Sequence, residues 1–171
     1  MPREGLDMVI VLLAEGFEEL EALSPVDILR REGIDVKTVG IAGLDVKGAH
    51  GITVRADMTA DEVDVTKVSA VVFPGGMPGS LNLDASPYAD KFIAAATANG
   101  GHIAAICAAP LVLGRRGLLR GKNATCFPGF EGELAGANAT GEAVVTDGNI
   151  TTARDFRAAV AFGDELARIL K

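Results

Sequence analysis

Short segments rich in apolar residues recur along the chain and predict strands, and the uninterrupted apolar run Met8–Leu13 is typical of a strand buried on both faces. They lie at Met8–Leu13, 34–39, Val68–Phe73 and His102–Ile106. Apolar residues at helical spacing predict helices at 17–32, 87–99, after residue 106, and at 155–171. Two short strands at 143–145 and 149–152 are joined through Asp147-Gly148, a hairpin-type turn. Strands that alternate with helices predict an α/β fold with a mainly parallel sheet covered by helices on both faces.

The first and last predicted helices carry more detailed expectations. The apolar side of the first helix is predicted to consist of Leu20, Leu23, Ile28 and Leu29. Pro25 lies inside this helix, so either Ser24 caps a second helix there or the helix kinks, and Gly33 ends it. The last helix is predicted to turn inward Phe156, Ala159, Val160, Leu166, Ile169 and Leu170.

Composition and charge narrow the class of protein. The 171 residues predict a single domain over 1–171, and an apolar fraction of 49% excludes a disordered chain. A net charge of −7 argues against a nucleic-acid or anionic-membrane partner. Two cysteines favour a reduced, cytoplasmic setting over a disulfide framework. The N-terminal apolar run is too short for a signal peptide. The stretch at 92–114 has no charged residue, but polar and glycine residues interrupt it, so no membrane span is expected.

Ligands bind to parallel sheets beyond the carboxyl ends of the strands, which directs attention to Cys107. This residue follows a predicted buried strand and precedes a predicted helix, the arrangement of a nucleophile elbow. The positive end of the helix is expected to stabilise a thiolate and so lower the thiol pKa. The alternative is a buried cysteine that packs as a small apolar residue, which is also the preferred interpretation of Cys126.

Glycines and acidic residues follow two other strands. Gly75 and Gly76 leave room for backbone N–H groups to face a ligand or an oxyanion, although a simple tight turn remains open. Acidic residues at a helix start mostly lie in water, but Glu18 and Glu21 are three residues apart and share a side of the helix. A carboxyl desolvated beside sulfur would have a raised pKa and could shuttle a proton.

The histidines and cysteines show no paired spacing of a metal site, so no metal is expected. His102 opens a central strand and is interpreted as a core or strand-end residue. His50 is expected in a loop.

In combination these segments make the chain resemble the ThiJ/PfpI superfamily, within it the branch of the parkinsonism-associated protein deglycase and its YajL-type bacterial relatives. The segments that carry the resemblance are AEGFEELE at 14–21, PVDILRREG at 25–33, PGG at 74–76 and AAICAAP at 104–110, with a weaker match in DGNITTAR at 147–154. They occur in the family's order over nearly the whole chain.

The resemblance implies a flavodoxin-like fold, a homodimer and a site built around a reactive thiol. It implies that Cys107 is that thiol and Glu21 its carboxylic partner, with backbone N–H groups supplied by Gly75, Gly76 and Ala108. The implied activities need no cofactor: conversion of methylglyoxal to lactate, repair of glyoxal-type adducts, thiol oxidation sensing and chaperone behaviour. The peptidase-type branch has histidine directly after the nucleophile. Ala108 stands there in this chain and weakens a peptidase interpretation.

Two departures from the family pattern bear on the pocket. The deglycase branch often has histidine before proline at the position of Phe127, whereas YajL-type relatives also have phenylalanine there. The absence of this histidine leaves Glu21 alone for acid–base work. Arg154-Asp155-Phe156-Arg157 replaces the family's Arg-Gly-Pro-Gly. The pocket candidates are Phe127, Phe156 and Glu18.

Three hypotheses follow for the function. The first is a glyoxalase III or deglycase-like enzyme that acts on small reactive carbonyls or glycated adducts. The second is a redox sensor, in which peroxide would oxidise Cys107 before Cys126. The third is a chaperone without turnover, whose effect would survive Cys107→Ala. Flavin or nucleotide binding is supported only by analogy of fold.

Overall fold

The structure is a computed structural model that describes residues 8–171. The strands are β1 Met8–Leu13, β2 Asp35–Gly40, β3 Asp45–Lys47, β4 Thr53–Arg55, β5 Met58–Thr59, β6 Val68–Phe73, β7 His102–Ile106, β8 Asn123–Ala124, β9 Asn138–Ala139, β10 Val144–Asp147 and β11 Ile150–Ala153. The α-helices are α1 Glu19–Arg31, α2 Gly79–Ala85, α3 Pro87–Ala98, α4 Pro110–Arg115 and α5 Ala159–Leu170. Single 3₁₀ turns occur at Ala60–Glu62, Val65–Lys67, Glu131–Glu133 and Phe156–Ala158.

A seven-stranded sheet in the order β10-β11-β7-β6-β1-β2-β5 forms the centre of the molecule. Neighbouring strands are parallel except for β10 and β11, which form the antiparallel hairpin at one edge. This confirms the predicted α/β class with a mainly parallel sheet. The turn of the hairpin lies at Gly148-Asn149, and Gly148 has a φ of 61° that favours glycine.

β1 shows why the buried strands have no alternation of apolar and polar residues. Its side chains point alternately to the two faces of the sheet. Ile10 and Leu12 belong to the core on one face, whereas Val9 and Val11 belong to the core on the other. Because helices cover both faces, every position of the strand is buried and selects an apolar residue.

α1 is one helix that continues through Pro25, so the proposed second helix capped by Ser24 is not formed. Proline has no N–H, and the helical bond from residue 25 to the Glu21 carbonyl is therefore missing. Gly33, with a φ of 76°, follows the helix as predicted. Leu29 is fully buried on the apolar side, but Leu20 is 53% exposed and does not belong to it.

The closing helix begins later than predicted. Asp155 caps the 3₁₀ turn Phe156–Ala158 by accepting the N–H of Arg157, and α5 starts only at Ala159. The side chains of Phe156 and Val160 are 44% and 58% exposed, so their inward orientation was predicted wrongly. The shift of the helix start turns these two residues away from the core, while Ala159 and Leu166 are buried as expected.

Several elements gave too weak a pattern for prediction. They are α2, the β3–β4 hairpin, and the two-residue strands β5, β8 and β9. Cys126 is buried as predicted, but it lies after β8 rather than on a strand. The expectation for the extreme N-terminus concerns residues before Met8 and lies outside the described residues. Over residues 8–171, every helix is too short or too polar to cross a bilayer.

Candidate functional site

Cys107 occupies a strained backbone position at the carboxyl end of β7. Its φ of 67° is the only positive value at a non-glycine residue between residues 8 and 171, and such a conformation costs on the order of 1–3 kcal/mol. Its N–H donates to the Ala153 carbonyl of β11 at 2.9 Å, and its carbonyl accepts the N–H of Phe127 at 2.8 Å. These two bonds hold the strained turn in place.

The sulfur of Cys107 faces backbone donors. The N–H groups of Ala108 and Gly76 act on it and favour its charged form. Residues 107–109 form a turn, and α4 begins only at Pro110, so the elbow contains one turn more than the predicted direct step from strand to helix. Of the three donors named in the sequence analysis, Ala108 and Gly76 act on the sulfur, whereas the N–H of Gly75 acts on the Glu21 carboxyl. They belong to two loops and not to the helix itself.

Glu21 places its carboxyl group beside the thiol. The side chain is 1% exposed, although it lies in the first turn of α1. Neither carboxyl oxygen meets the geometry of a hydrogen bond with a described residue. The Cys107 thiol and the Gly75 N–H are still close enough to act on it electrostatically. A buried carboxyl without a strong partner is costly when charged, and it therefore favours the neutral acid.

Burial governs the ionisation of both groups. It raises the pKa of Glu21 to about 8, with the negative charges of Glu18 and Asp155 acting in the same direction. Burial is also the largest cause that raises the pKa of the Cys107 thiol, and the charge of Glu21 is the second. Together they outweigh the N–H groups of Ala108 and Gly76, which lower this pKa. The expectation of a lowered thiol pKa is therefore wrong in direction. The repulsion from Glu21 arises only once this carboxyl has lost its proton, so near neutral pH the pair carries at most one negative charge.

Gly75 makes the close approach of thiol and carboxyl possible. A Cβ at this position would lie 2.3 Å from Oε1 of Glu21 and 2.6 Å from Cβ of Cys107. Gly76, with a φ of 95°, would meet the backbone of Glu18 at 2.5 Å. Both glycines are thus required by packing at the site, and a simple tight turn does not account for them.

Replacing Gly75 by alanine is expected to push the Glu21 carboxyl away from the sulfur and to destabilise the protein. Overpacking of this kind costs about 1–3 kcal/mol. Gly132→Ala is the matched control, because a Cβ there would meet nothing within 4 Å. Thermal unfolding of the two variants checks the prediction, and equal midpoints would contradict it.

Glu18, Glu19 and His50 form an ionic cluster at the start of α1. Their ligand-type atoms lie within 4.8 Å of one another, the one such trio found among residues 8–171. Glu19 is buried and accepts the N–H groups of His50 and Ile52, while His50 Nδ1 lies 3.1 Å from Glu19 Oε1. These contacts account for the cluster as a hydrogen-bonded turn, and we assign no metal to it. Glu19 is buried, against the expectation that acidic residues at a helix start mostly lie in water, whereas the burial of Glu21 agrees with the desolvated carboxyl that was considered beside the sulfur.

Comparison with known proteins agrees with this geometry. The model of the DJ-1/PfpI family matches residues 7–169. The chain belongs to the DJ-1/PfpI family. It is 35% identical to protein dj-1beta of Drosophila melanogaster over 94% of this chain and 88% of that protein. It is 32% identical to a deglycase of Pyrococcus abyssi over 95% and 99%. A crystal structure of a DJ-1 superfamily protein from Salmonella typhimurium has a TM-score of 0.90 at 38% identity, covering 96% of this chain and 90% of that one.

The remaining residues predicted for the pocket of this DJ-1/PfpI protein, Phe127, Phe156 and Glu18, differ in exposure. Phe127 is 41% exposed and packs edge-on against Phe130, with ring centroids 6.3 Å apart. Phe156 is exposed and carries the Arg157 guanidinium over its ring at 5.1 Å. Glu18 is mostly buried and caps α1, so it contributes to the interior of the site and is not a lining residue of an open pocket. The DJ-1/PfpI pattern did not signal Asp155, whose charge acts on Glu21 from the segment after β11.

His102 is far from this chemistry. It is buried in β7, and its Nε2 lies 2.7 Å from Oγ1 of Thr151 on β11. Burial lowers its pKa to about 4, so it remains neutral near neutral pH. The interpretation of His102 as a core residue of the strand is confirmed.

Proposed function

We propose that this DJ-1/PfpI protein is a cofactor-independent, cysteine-dependent enzyme that converts methylglyoxal and related reactive carbonyls, in the manner of a glyoxalase III or deglycase. One observation carries the proposal. A nucleophile-type cysteine in a strained turn lies beside a buried carboxyl whose pKa burial raises to about 8, and backbone N–H groups act on both groups. The deglycase name of the Pyrococcus relative supports the same class of substrate.

The first step is addition of the Cys107 sulfur to the aldehyde carbon of methylglyoxal. A new C–S bond forms, the carbonyl double bond opens, and the proton of the thiol ends on the former aldehyde oxygen. A carboxylic acid can mediate this transfer, because one oxygen gives a proton while the other takes one. The N–H groups of Ala108 and Gly76 are suited to stabilise charge that develops on the oxygen. The product is a hemithioacetal.

The second step moves hydrogen between the two carbons. One carboxyl oxygen of Glu21 takes the proton from the carbon bound to sulfur while the other gives its proton to the ketone oxygen, which forms an enediol. Glu21 then gives a proton to the former ketone carbon and takes the hydroxyl proton from the carbon bound to sulfur, so it ends as the neutral acid. The aldehyde carbon is thereby oxidised to a thioester and the ketone is reduced to an alcohol, so no external oxidant or reductant is needed. Water then cleaves the thioester, which releases lactic acid and restores the thiol of Cys107.

The redox-sensor alternative finds less support in the geometry. Ready oxidation requires an accessible thiol of low pKa. Cys107 is only partly exposed, and burial raises its pKa. The acid–base cycle described above proceeds from the thiol and the neutral acid, which is the protonation state that burial favours.

The test is formation of lactate from methylglyoxal in the absence of glutathione. The purified protein is expected to produce lactate, and Cys107→Ala is expected to show only the spontaneous rate. Cys126→Ala is the matched control, because it removes the other thiol, which is buried outside the site. Turnover that Cys107→Ala retains, or no turnover by the unmodified protein, would overturn the proposal.

A further inference from the structure

Glu18 is fixed in the turn that carries Glu21. Its backbone is extended, with φ −81° and ψ 123°, and it directly precedes α1. Its Oε2 accepts the backbone N–H of Glu21 at 2.8 Å. This is the bond of a helix N-cap, and it satisfies a donor that has no partner within the helix. The cap therefore determines where the backbone of Glu21 lies relative to Cys107.

The charge of Glu18 also acts on the site. Its side chain is 14% exposed, so solvent screens it less than a surface carboxylate. The charged and titratable groups that act on Glu21 are Glu18 in the same turn, Cys107 after β7 and Asp155 after β11. Those next to Glu18 are Glu19 and His50, whose Nδ1 lies 3.6 Å from Glu18 Oε1.

We propose that Glu18 is a positioning residue for the acid–base step: its mostly buried side chain caps α1 at the N–H of Glu21 and places a second carboxyl group beside that of Glu21. A carboxylate near a second carboxyl disfavours loss of the second proton. After burial, the charge of Glu18 is the strongest influence on the protonation of Glu21, and Asp155 acts more weakly in the same direction.

This inference rests on the proposed function only where it concerns the pH range of the enzyme cycle. The enzyme cycle requires Glu21 as an acid at its start, so Glu18 would set the pH range in which the cycle runs. The protonation of Glu21 itself is a property of the folded protein. It can be measured whether or not methylglyoxal is a substrate.

Infrared difference spectroscopy during a pH titration tests the inference, because the C=O band of a protonated carboxyl disappears as it ionises. The band that is absent from Glu21→Gln is assigned to Glu21. In Glu18→Gln, which keeps a side-chain oxygen as acceptor for the cap, the midpoint of this band is expected to shift to lower pH by ~0.5 unit or more, about a threefold change in the ratio of carboxylate to acid. Asp155→Asn is expected to shift it less.

Glu15→Gln is the matched control, since it removes an exposed carboxylate of the same segment that is not among the groups acting on Glu21. Its midpoint is expected to equal that of the unmodified protein. An unshifted midpoint in Glu18→Gln would overturn the role of the charge. Glu18→Ala removes the cap and the charge together, and a shift seen in this variant alone would overturn that role as well. If the shift occurs but methylglyoxal is not converted, the proposed function fails and the role of Glu18 stands.

Discussion

Glu21→Gln is expected to lower the turnover of methylglyoxal by about 10²–10⁴-fold, the usual contribution of a general acid–base residue. The amide can occupy the same space beside Cys107, but it can neither take a proton from carbon nor return one. Phe127, next to the site, has no proton to transfer, and His102 is bound to Thr151 in the sheet, so neither residue can replace Glu21.

Alkylation of Cys107 by iodoacetamide separates this effect from damage to the site. The reagent needs only the sulfur, so Glu21→Gln is expected to remain modified at Cys107, as followed by peptide mass spectrometry, while lactate formation is lost. Retention of turnover in Glu21→Gln would remove Glu21 from the mechanism. Loss of both turnover and alkylation would show that the carboxyl acts on the thiol itself and not on the substrate.

The unmodified protein is expected to lose stability as the pH rises from 4.5 to about 8, and Glu21→Gln is expected not to show this loss. Glu21 has a pKa of about 8 in the folded protein against an ordinary value of 4.5. In that window the folded state binds the proton and the unfolded state does not, so the free energy of unfolding falls with pH. The expected loss is on the order of a few kcal/mol.

Chemical denaturation at several pH values measures this effect, and the difference between the two proteins isolates it. His102 contributes with the opposite sign in both, because burial lowers its pKa to about 4 and stability is lost as the pH falls below 6.5. From pH 4.5 to pH 8 the difference in the free energy of unfolding is therefore expected to shift in favour of the glutamine variant, although it is the less active protein. Parallel stability curves for both proteins would contradict a raised pKa of Glu21.

The regular elements of this chain could be predicted because burial on both faces leaves a direct trace in the sequence. β1 is a continuous apolar run, and β6 and β7 are each apolar at all but one position; the structure has all three within the predicted limits. The start of α5 was predicted too early, because Asp155 caps a separate 3₁₀ turn and the choice between the two depends on local hydrogen bonds. Such a choice changes the exposure of Phe156 and Val160 without changing the apolar pattern.

The composition of the candidate site was predictable in part, and its electrostatics were not. The motifs around Cys107, Glu21 and Gly75 named groups that the structure brings together, while their roles in catalysis remain predictions. The direction of the thiol pKa was wrong because desolvation depends on how much of the protein surrounds the sulfur. The contribution of Asp155 was missed because it comes from a segment far along the chain.

The bond from the Cys107 N–H to the Ala153 carbonyl has a consequence for the order in which the protein is made. The acceptor lies 46 residues later in the chain than the cysteine that it holds. In a nascent polypeptide on the ribosome, the turn around Cys107 therefore lacks this bond until β11 has left the exit tunnel. The strained turn, and any reactivity that depends on it, is a property that this chain acquires only after β11 has been synthesised.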